Sequence, residues 1–434
     1  MQFGIAGIME KFIVKGQCRL SGQIEPSGNK NESLPVLAAI LLSTSQVTLT
    51  NLPNIGDINT MKLILERLGV GIQFKSENTY VFDTKNLISN TPDMDLCRKI
   101  RGSFLMASPL LYRFGETRLP VPGGDIIGRR RLDTHFKVLT ELGATIEQEA
   151  DTFYFRCDNG FKGAHLFLDE ASVMATENAI MAGSVAEGIT TIYNAACEPH
   201  IQGLCHLLNA MGAKITGIGS NSLTIEGVSS LHNCTHEIQP DHIEVGSLIG
   251  LAAVTKSELT IVNPGLDNLG LILHFFKRLG VTAEIRGQDL YIPPDQEMRI
   301  IHDMDKAIPK IDDAPWPGFP ADLTSIMTVV ATQCQGTILI FEKLFESRLF
   351  WVDKLISMGA QIVLCDPHRA VVVGPSNLSG MKLNSPDIRA GMALLIAAMC
   401  ANGTSEIYDI QQIDRGYEKI DQRLNALGAN IQRA

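Results

Sequence analysis

Apolar residues along this chain fall into two alternating kinds of segment. One kind is apolar at nearly every position: SLPVLAAILL (33–42), GSFLMASPLLY (102–112), ENAIMAGSVA (177–186), GSLIGLAAVT (246–255), LTSIMTVVA (323–331) and GMALLIAAM (391–399). Segments so evenly apolar predict helices buried on all faces. The other kind keeps apolar residues at helical spacing, as in MKLILERLGV, and closes on a tripeptide of Leu or Met, Gly, and Ala or Val. The tripeptides are Leu68-Gly69-Val70, Leu142-Gly143-Ala144, Met211-Gly212-Ala213, Leu279-Gly280-Val281, Met358-Gly359-Ala360 and Leu427-Gly428-Ala429. Their spacings of 74, 69, 68, 79 and 69 residues define six repeats. Each glycine is placed to cap a helix C-terminus in the left-handed conformation, and short β-branched runs follow it. Six such units predict an α/β (α+β) protein of two three-repeat domains, with a boundary near residue 238. The strand-like segment around Phe12 to Ile24 precedes the first unit and is placed to pair with the last.

Charge narrows the function. With 37 basic and 47 acidic residues the net charge is -10, which argues against a sequence-independent grip on nucleic acid or on an anionic membrane. An anionic ligand must therefore meet locally clustered cations. Nine cysteines are scattered without a C-x-x-C pair, and no histidine cluster has metal spacing, so neither a metal nor another cofactor is expected. The opening MQFGIAGIMEKF lacks the basic n-region of a signal peptide, and no run approaches the ~18 apolar residues of a membrane span, so a cytoplasmic protein is expected.

Charged residues recur at two points of the repeat, both at expected helix N-termini. Before the fully apolar helices stand Lys30 and Asn31, Arg101, Thr176-Glu177-Asn178, Asp241 with Glu244, Asp322, and Asp387 with Arg389. Before the amphipathic helices stand Asp125 with Arg129, Arg130 and Arg131, then Glu198, Arg348 and Asp414-Arg415. Taken singly, Asp, Asn and Thr at such places are ordinary helix caps. Arginine is a poor N-cap and opposes the helix dipole, so its recurrence points to a bound anion.

These residues carry a resemblance. SGNKNESLP (27–35) is similar to the S-G-x-K-N-x-x-L-P signature of the enolpyruvyl transferases. IRGS at Arg101, PGGDIIGRR (122–130), PDHIEVG (240–246), FPADL (319–323), FESR (345–348), PDIRAG (386–391) and IDRGYE (413–418) follow in the family's order. The chain thus resembles that family from Met9 to its end, and the nucleotide-sugar branch more than the shikimate-pathway synthase. The resemblance implies six βαβαββ units with buried parallel helices, in domains at 30–238 and at 239–434 plus 9–29. It implies phosphoenolpyruvate as donor, UDP-N-acetylglucosamine as acceptor, a place at the first committed step of peptidoglycan synthesis, and no obligate protein partner. Carried over by position, Lys30, Arg101, Arg130, Arg348, Arg389 and Arg415 would hold the donor's phosphate and carboxylate. Asp322 would accept the proton of the attacking hydroxyl, with Lys30 and Asp125 as its catalytic companions. Asn31, Asp133, Ser172, Val173 and Asp387 would complete the substrate site.

The departures are local. Asp125 stands where the family's loop usually carries cysteine, His242 where arginine is usual, Met174 where glycine is common, and Arg131-Leu132-Asp133-Thr134 where Pro-Val-Asp-Leu is usual. A carboxyl can serve as proton donor near neutrality only if its pKa of about 4 is raised. Two alternatives remain: an enolpyruvyl transferase for another nucleotide or nucleoside acceptor, and a non-catalytic nucleotide-sugar-binding paralogue, against which the retained Asp322 speaks.

Overall fold

The computed structural model describes residues 10–434 except 126, 127 and 129, so Arg129 and Met9 lie outside the described residues. Each unit realises the same local logic. In the helix Gly56–Arg67 the buried residues Asp57, Ile58, Met61, Ile64 and Leu65 share one face. The helix stops because Gly69 turns left-handed at φ 99°, while the Val70 amide donates to the Leu65 carbonyl at 3.0 Å. All six repeat glycines have φ between 74° and 108°, a region that side-chain-bearing residues rarely occupy.

Each unit forms a small sheet. In the fifth, Lys310–Asp312 runs parallel to Gly336–Phe341, which pairs antiparallel with Arg369–Gly374, itself in a hairpin with Gln361–Asp366. Five of the sheets have four strands; that of the second unit has three. The missing strand falls in TKNLISNTP, where two asparagines and Pro92 cannot sustain a ladder. The sixth unit is completed by the chain's beginning, since Lys11–Lys15 lies between Thr404–Tyr408 and Ile431–Arg433, antiparallel to both. Ser21–Ile24 then runs parallel to Glu258–Ile261 of the fourth unit.

Two separate apolar cores result. One draws on residues from Val36 to Ile238; the other on Phe12 to Ile24 together with Ile243 to Ile431. The helices predicted to be buried on all faces are central: every residue of His242–Thr255 is buried, and Thr324–Gln333 and Ile388–Cys400 pack against it. Each fully buried Leu, Ile or Val there contributes roughly 1.5–3 kcal/mol. The second apolar segment is not one α-helix. It divides into a 3-10 stretch Arg101–Met106 and a helix Ala107–Phe114, with Pro109 in the helix's first turn, where its missing N–H and ring are tolerated. Among the described residues no helix is long and apolar enough to cross a membrane.

Candidate active site

The two cores meet where the chain passes twice between them. Gly28 bridges Pro240 antiparallel, Asn29 N–H donates to the Gln239 carbonyl at 2.7 Å, and Asp241 N–H to the Ser27 carbonyl at 2.9 Å. Beside this crossing lies a cavity of about 280 Å³ walled by both cores.

One end of the cavity is cationic. Asp322 precedes the helix Thr324–Gln333 and accepts from Arg348 Nη2 at 2.8 Å on one oxygen and from Arg389 Nε at 3.1 Å on the other. Burial opposes ionisation of Asp322, but Arg389, Arg348 and Lys30 together outweigh it and hold the carboxyl far below the usual range. Asp57 is treated alike. It lies 2.8 Å from Arg415 Nε and 2.9 Å from Lys30 Nζ, and these cations overcome its burial and keep it ionised. Arg415 Nη1 donates to Asp125 and to Gln412. Arg101 and Arg130 have no carboxylate in ion-pair contact among the described residues; burial and the neighbouring Arg130 bring Arg101 down to about 10, still a cation at neutral pH. Six cations against the three carboxylates Asp57, Asp125 and Asp322 leave an excess of three positive charges. The loop bearing Asp125 needs its glycines, since an added Cβ at Gly123 would overlap the Arg98 carbonyl at 1.7 Å, and one at Gly128 would stand 3.0 Å from the Glu346 amide of the other core.

The wall also holds polar residues that are not cations. His200 and His242 stack with ring centroids 6.5 Å apart, and Trp316 meets His242 edge-on at 5.9 Å. Burial brings His200 down to about 3 and lowers His242 as well, so both rings are neutral. Glu177 and Glu198 share this wall, and burial raises both carboxyls toward the neutral form.

Of the residues proposed from sequence, Lys30, Asn31, Arg101, Asp125, Arg130, Val173, Asp322, Arg348, Arg389 and Arg415 line the cavity. Asp133, Ser172 and Asp387 do not. Asp133 opens the helix Asp133–Glu141, is exposed, and pairs with Arg131. Ser172 stands at the N-cap of Val173–Ser184. Asp387 caps Ile388–Cys400, accepting from the Arg389 and Ala390 amides at 2.8 and 2.9 Å. The expected placement of the cations at helix N-termini needs correction for Arg415. It follows the one-turn helix Gln411–Asp414 at its C-terminal end, where the helix dipole favours a cation. Sequence reasoning missed Asp57, although Gly56-Asp57 opens the first amphipathic helix at the point where the other units carry their charges. It also passed over His200 and Trp316, whose roles arise only from the meeting of the two cores.

Residues 14–424 match the family of EPSP synthase (3-phosphoshikimate 1-carboxyvinyltransferase). The solved enolpyruvyl transferase NikO from Streptomyces tendae superposes with a TM-score of 0.88 at 22% identity, covering 98% of this chain and 99% of that one. EPSP synthase from Acinetobacter baumannii gives 0.75 at 16% identity, covering 98% of this chain and 100% of the other. The chain belongs to the enolpyruvyl transferase family. Within that family its similarity is high to proteins named UDP-N-acetylglucosamine 1-carboxyvinyltransferase. That of Bradyrhizobium diazoefficiens is 54% identical with 98% of each chain covered, and that of Treponema denticola 52% identical with 98% of this chain and 99% of the other covered.

Proposed function

We propose that the cavity transfers the enolpyruvyl group of phosphoenolpyruvate to the 3'-hydroxyl of UDP-N-acetylglucosamine and releases phosphate, the first committed step of peptidoglycan synthesis. The observation that carries this reading is the convergence of six cations around Asp322, with a net excess of charge that matches a trianionic donor. The nucleotide-sugar acceptor rests on the full-length relatives of that name.

In this reading Lys30, Arg101, Arg130, Arg348, Arg389 and Arg415 receive the donor's phosphate and carboxylate. They stabilise the charge that grows on the phosphate as it leaves. Asp322 accepts the proton of the sugar hydroxyl while the hydroxyl oxygen bonds to C2 of the donor and a proton reaches C3. Loss of that C3 proton, together with phosphate, then restores the vinyl group. Asp125 takes up a proton from solvent once the donor phosphate has drawn Arg415 from it, gives that proton to C3 in the addition and takes a C3 proton back in the elimination. Asn31 and Val173 on the cavity wall orient the acceptor, and Asp133, Ser172 and Asp387, which do not line the cavity, are assigned to the acceptor only by the family resemblance. No metal or other cofactor takes part. The two substrates are the protein's partners and the cytoplasm its compartment, in keeping with nine unpaired cysteines.

The test is purified protein with phosphoenolpyruvate, with and without UDP-N-acetylglucosamine, followed for phosphate and for the enolpyruvyl product. Acceptor-dependent release of both is expected. Phosphate release only with a different acceptor would sink the reading.

A further inference from the structure

Glu177 lies in the second turn of the helix Val173–Ser184 and lines the cavity, yet only 2% of the residue is exposed. Among the described residues its carboxyl has no hydrogen-bond or ion-pair partner, although five arginines and a lysine line the same cavity. The ionisable group that acts on it is another acid, Glu198, which sits on the same wall and opposes a second negative charge there. No cation acts on it, and the cavity lining also includes Met174, Leu34, Leu105, Trp316 and two histidines whose burial favours the neutral form.

Buried polar groups in folded proteins are nearly always satisfied, and the Glu177 oxygens, unlike the sealed and unpartnered Glu198 Oε2 and His200 Nδ1, open on the cavity where a bound molecule can reach them. We propose that Glu177 is a specificity-determining residue whose carboxyl hydrogen-bonds an uncharged polar group of the acceptor sugar, a hydroxyl or the acetamido group, when the acceptor fills the cavity. The inference rests on the acceptor reading above and deepens it. A neutral carboxyl both donates and accepts, which suits a hydroxyl or an amide. It brings no positive charge to a trianionic donor, which the cationic end takes instead. The cations and Glu177 thereby sort the two substrates by charge, and the acceptor alone should sense a change at Glu177.

The experiment compares the unmutated protein with Glu177→Gln and Glu177→Leu, measuring kcat, the KM of each substrate and the thermal midpoint. Glu177→Leu is expected to raise the KM for UDP-N-acetylglucosamine on the order of 10- to 100-fold while the KM for phosphoenolpyruvate stays within about twofold. Glu177→Gln keeps the size and the hydrogen-bonding capacity and should stay within roughly threefold on both. The midpoint of Glu177→Leu should not fall. An unchanged acceptor KM in Glu177→Leu, or both KM values rising together with a lowered midpoint, would overturn the proposal while leaving the reaction itself in place. Absence of any turnover of UDP-N-acetylglucosamine by the unmutated protein would remove the acceptor reading and this inference with it.

Discussion

Asp322 and Glu177 line one cavity, and burial pushes both carboxyls upward, yet one is held ionised and the other is driven toward its neutral form. Asp322 has Arg348 and Arg389 in contact and Lys30 nearby, so it stays ionised despite its surroundings. Glu177 has only Glu198 acting on it, so its burial goes unopposed. The difference shows that depth alone does not decide the charge of a buried acid; the sign of its nearest charged neighbour does. Within one enclosed space the protein thus keeps a charged end for an anion and a neutral wall for a sugar.

The comparison is broken most directly by removing the charge from Asp322. Asp322→Asn keeps the shape and one oxygen acceptor for the arginines but cannot take a proton, so turnover should fall on the order of 100- to 10,000-fold. Circular dichroism and single-turnover kinetics on the same sample separate this loss from misfolding. Near-normal turnover would take Asp322 out of the chemistry. Next in size come the cations that define the charged end. Arg415→Ala or Arg348→Ala should weaken phosphoenolpyruvate binding by roughly 2 to 5 kcal/mol, because a buried anion loses a charged partner. Calorimetry with the donor alone reads this, and unchanged affinity would show that the arginine in question does not meet the donor.

The two ends differ also in how far sequence reveals them. The fold was legible because one residue type marks each unit: only glycine accepts the left-handed turn at Gly69, Gly143 and their counterparts, and evenly apolar runs such as GSLIGLAAVT have no stable place outside a core. The cationic end stood out because arginine is anomalous before a helix. The neutral wall gave no such signal. Glu177 in ATEN reads as an ordinary helix-start acid, and His200 as a polar residue of an amphipathic helix, until residues near 177, 200, 242 and 316 are brought together. Asp57, Lys30 and Arg415 likewise become one ion-paired group only through a contact spanning 358 positions. Asp387 caps its own helix and does not line the cavity. A side chain that caps its own helix and one that turns into a cavity look the same in sequence.

A third carboxyl limits the rule, since one neighbouring cation does not overcome its burial. Glu342 is fully buried at the end of the strand Gly336–Phe341, and burial pushes its carboxyl up to about 9, with the Arg348 charge opposing and Asp313 adding. In the unfolded chain a glutamate titrates near about 4.3. Between those two values the folded protein keeps a proton that the unfolded chain releases, so Glu342 makes the fold less stable as pH rises through that window. Glu342→Gln has no proton to lose. Its stability relative to the unmutated protein should therefore rise from near zero at pH 4 to about 2 kcal/mol at pH 6 and widen further toward pH 8. Urea unfolding at several pH values gives the curve, and a gap that does not widen would mean that Arg348 holds Glu342 ionised.

The smallest effect concerns Asp125, which belongs to the charged end but is held there by a single arginine, Arg415, rather than by two. Asp125→Cys exchanges a carboxyl for a thiol that can still exchange a proton, so turnover should stay within about tenfold of the original. The new thiol would lie beside Arg415 and near Arg130, surroundings that favour a thiolate and attract anionic reagents. Iodoacetate should accordingly alkylate position 125 faster than the buried native cysteines, with the exposed Cys365 as an internal reference for an ordinary surface thiol. Phosphoenolpyruvate should protect position 125 and leave Cys365 untouched, which peptide mass mapping resolves. Alkylation at 125 no faster than at Cys365, or no protection by the donor, would place the loop side chain outside the field of the cationic end and leave Asp125 a turn residue after Gly123-Gly124.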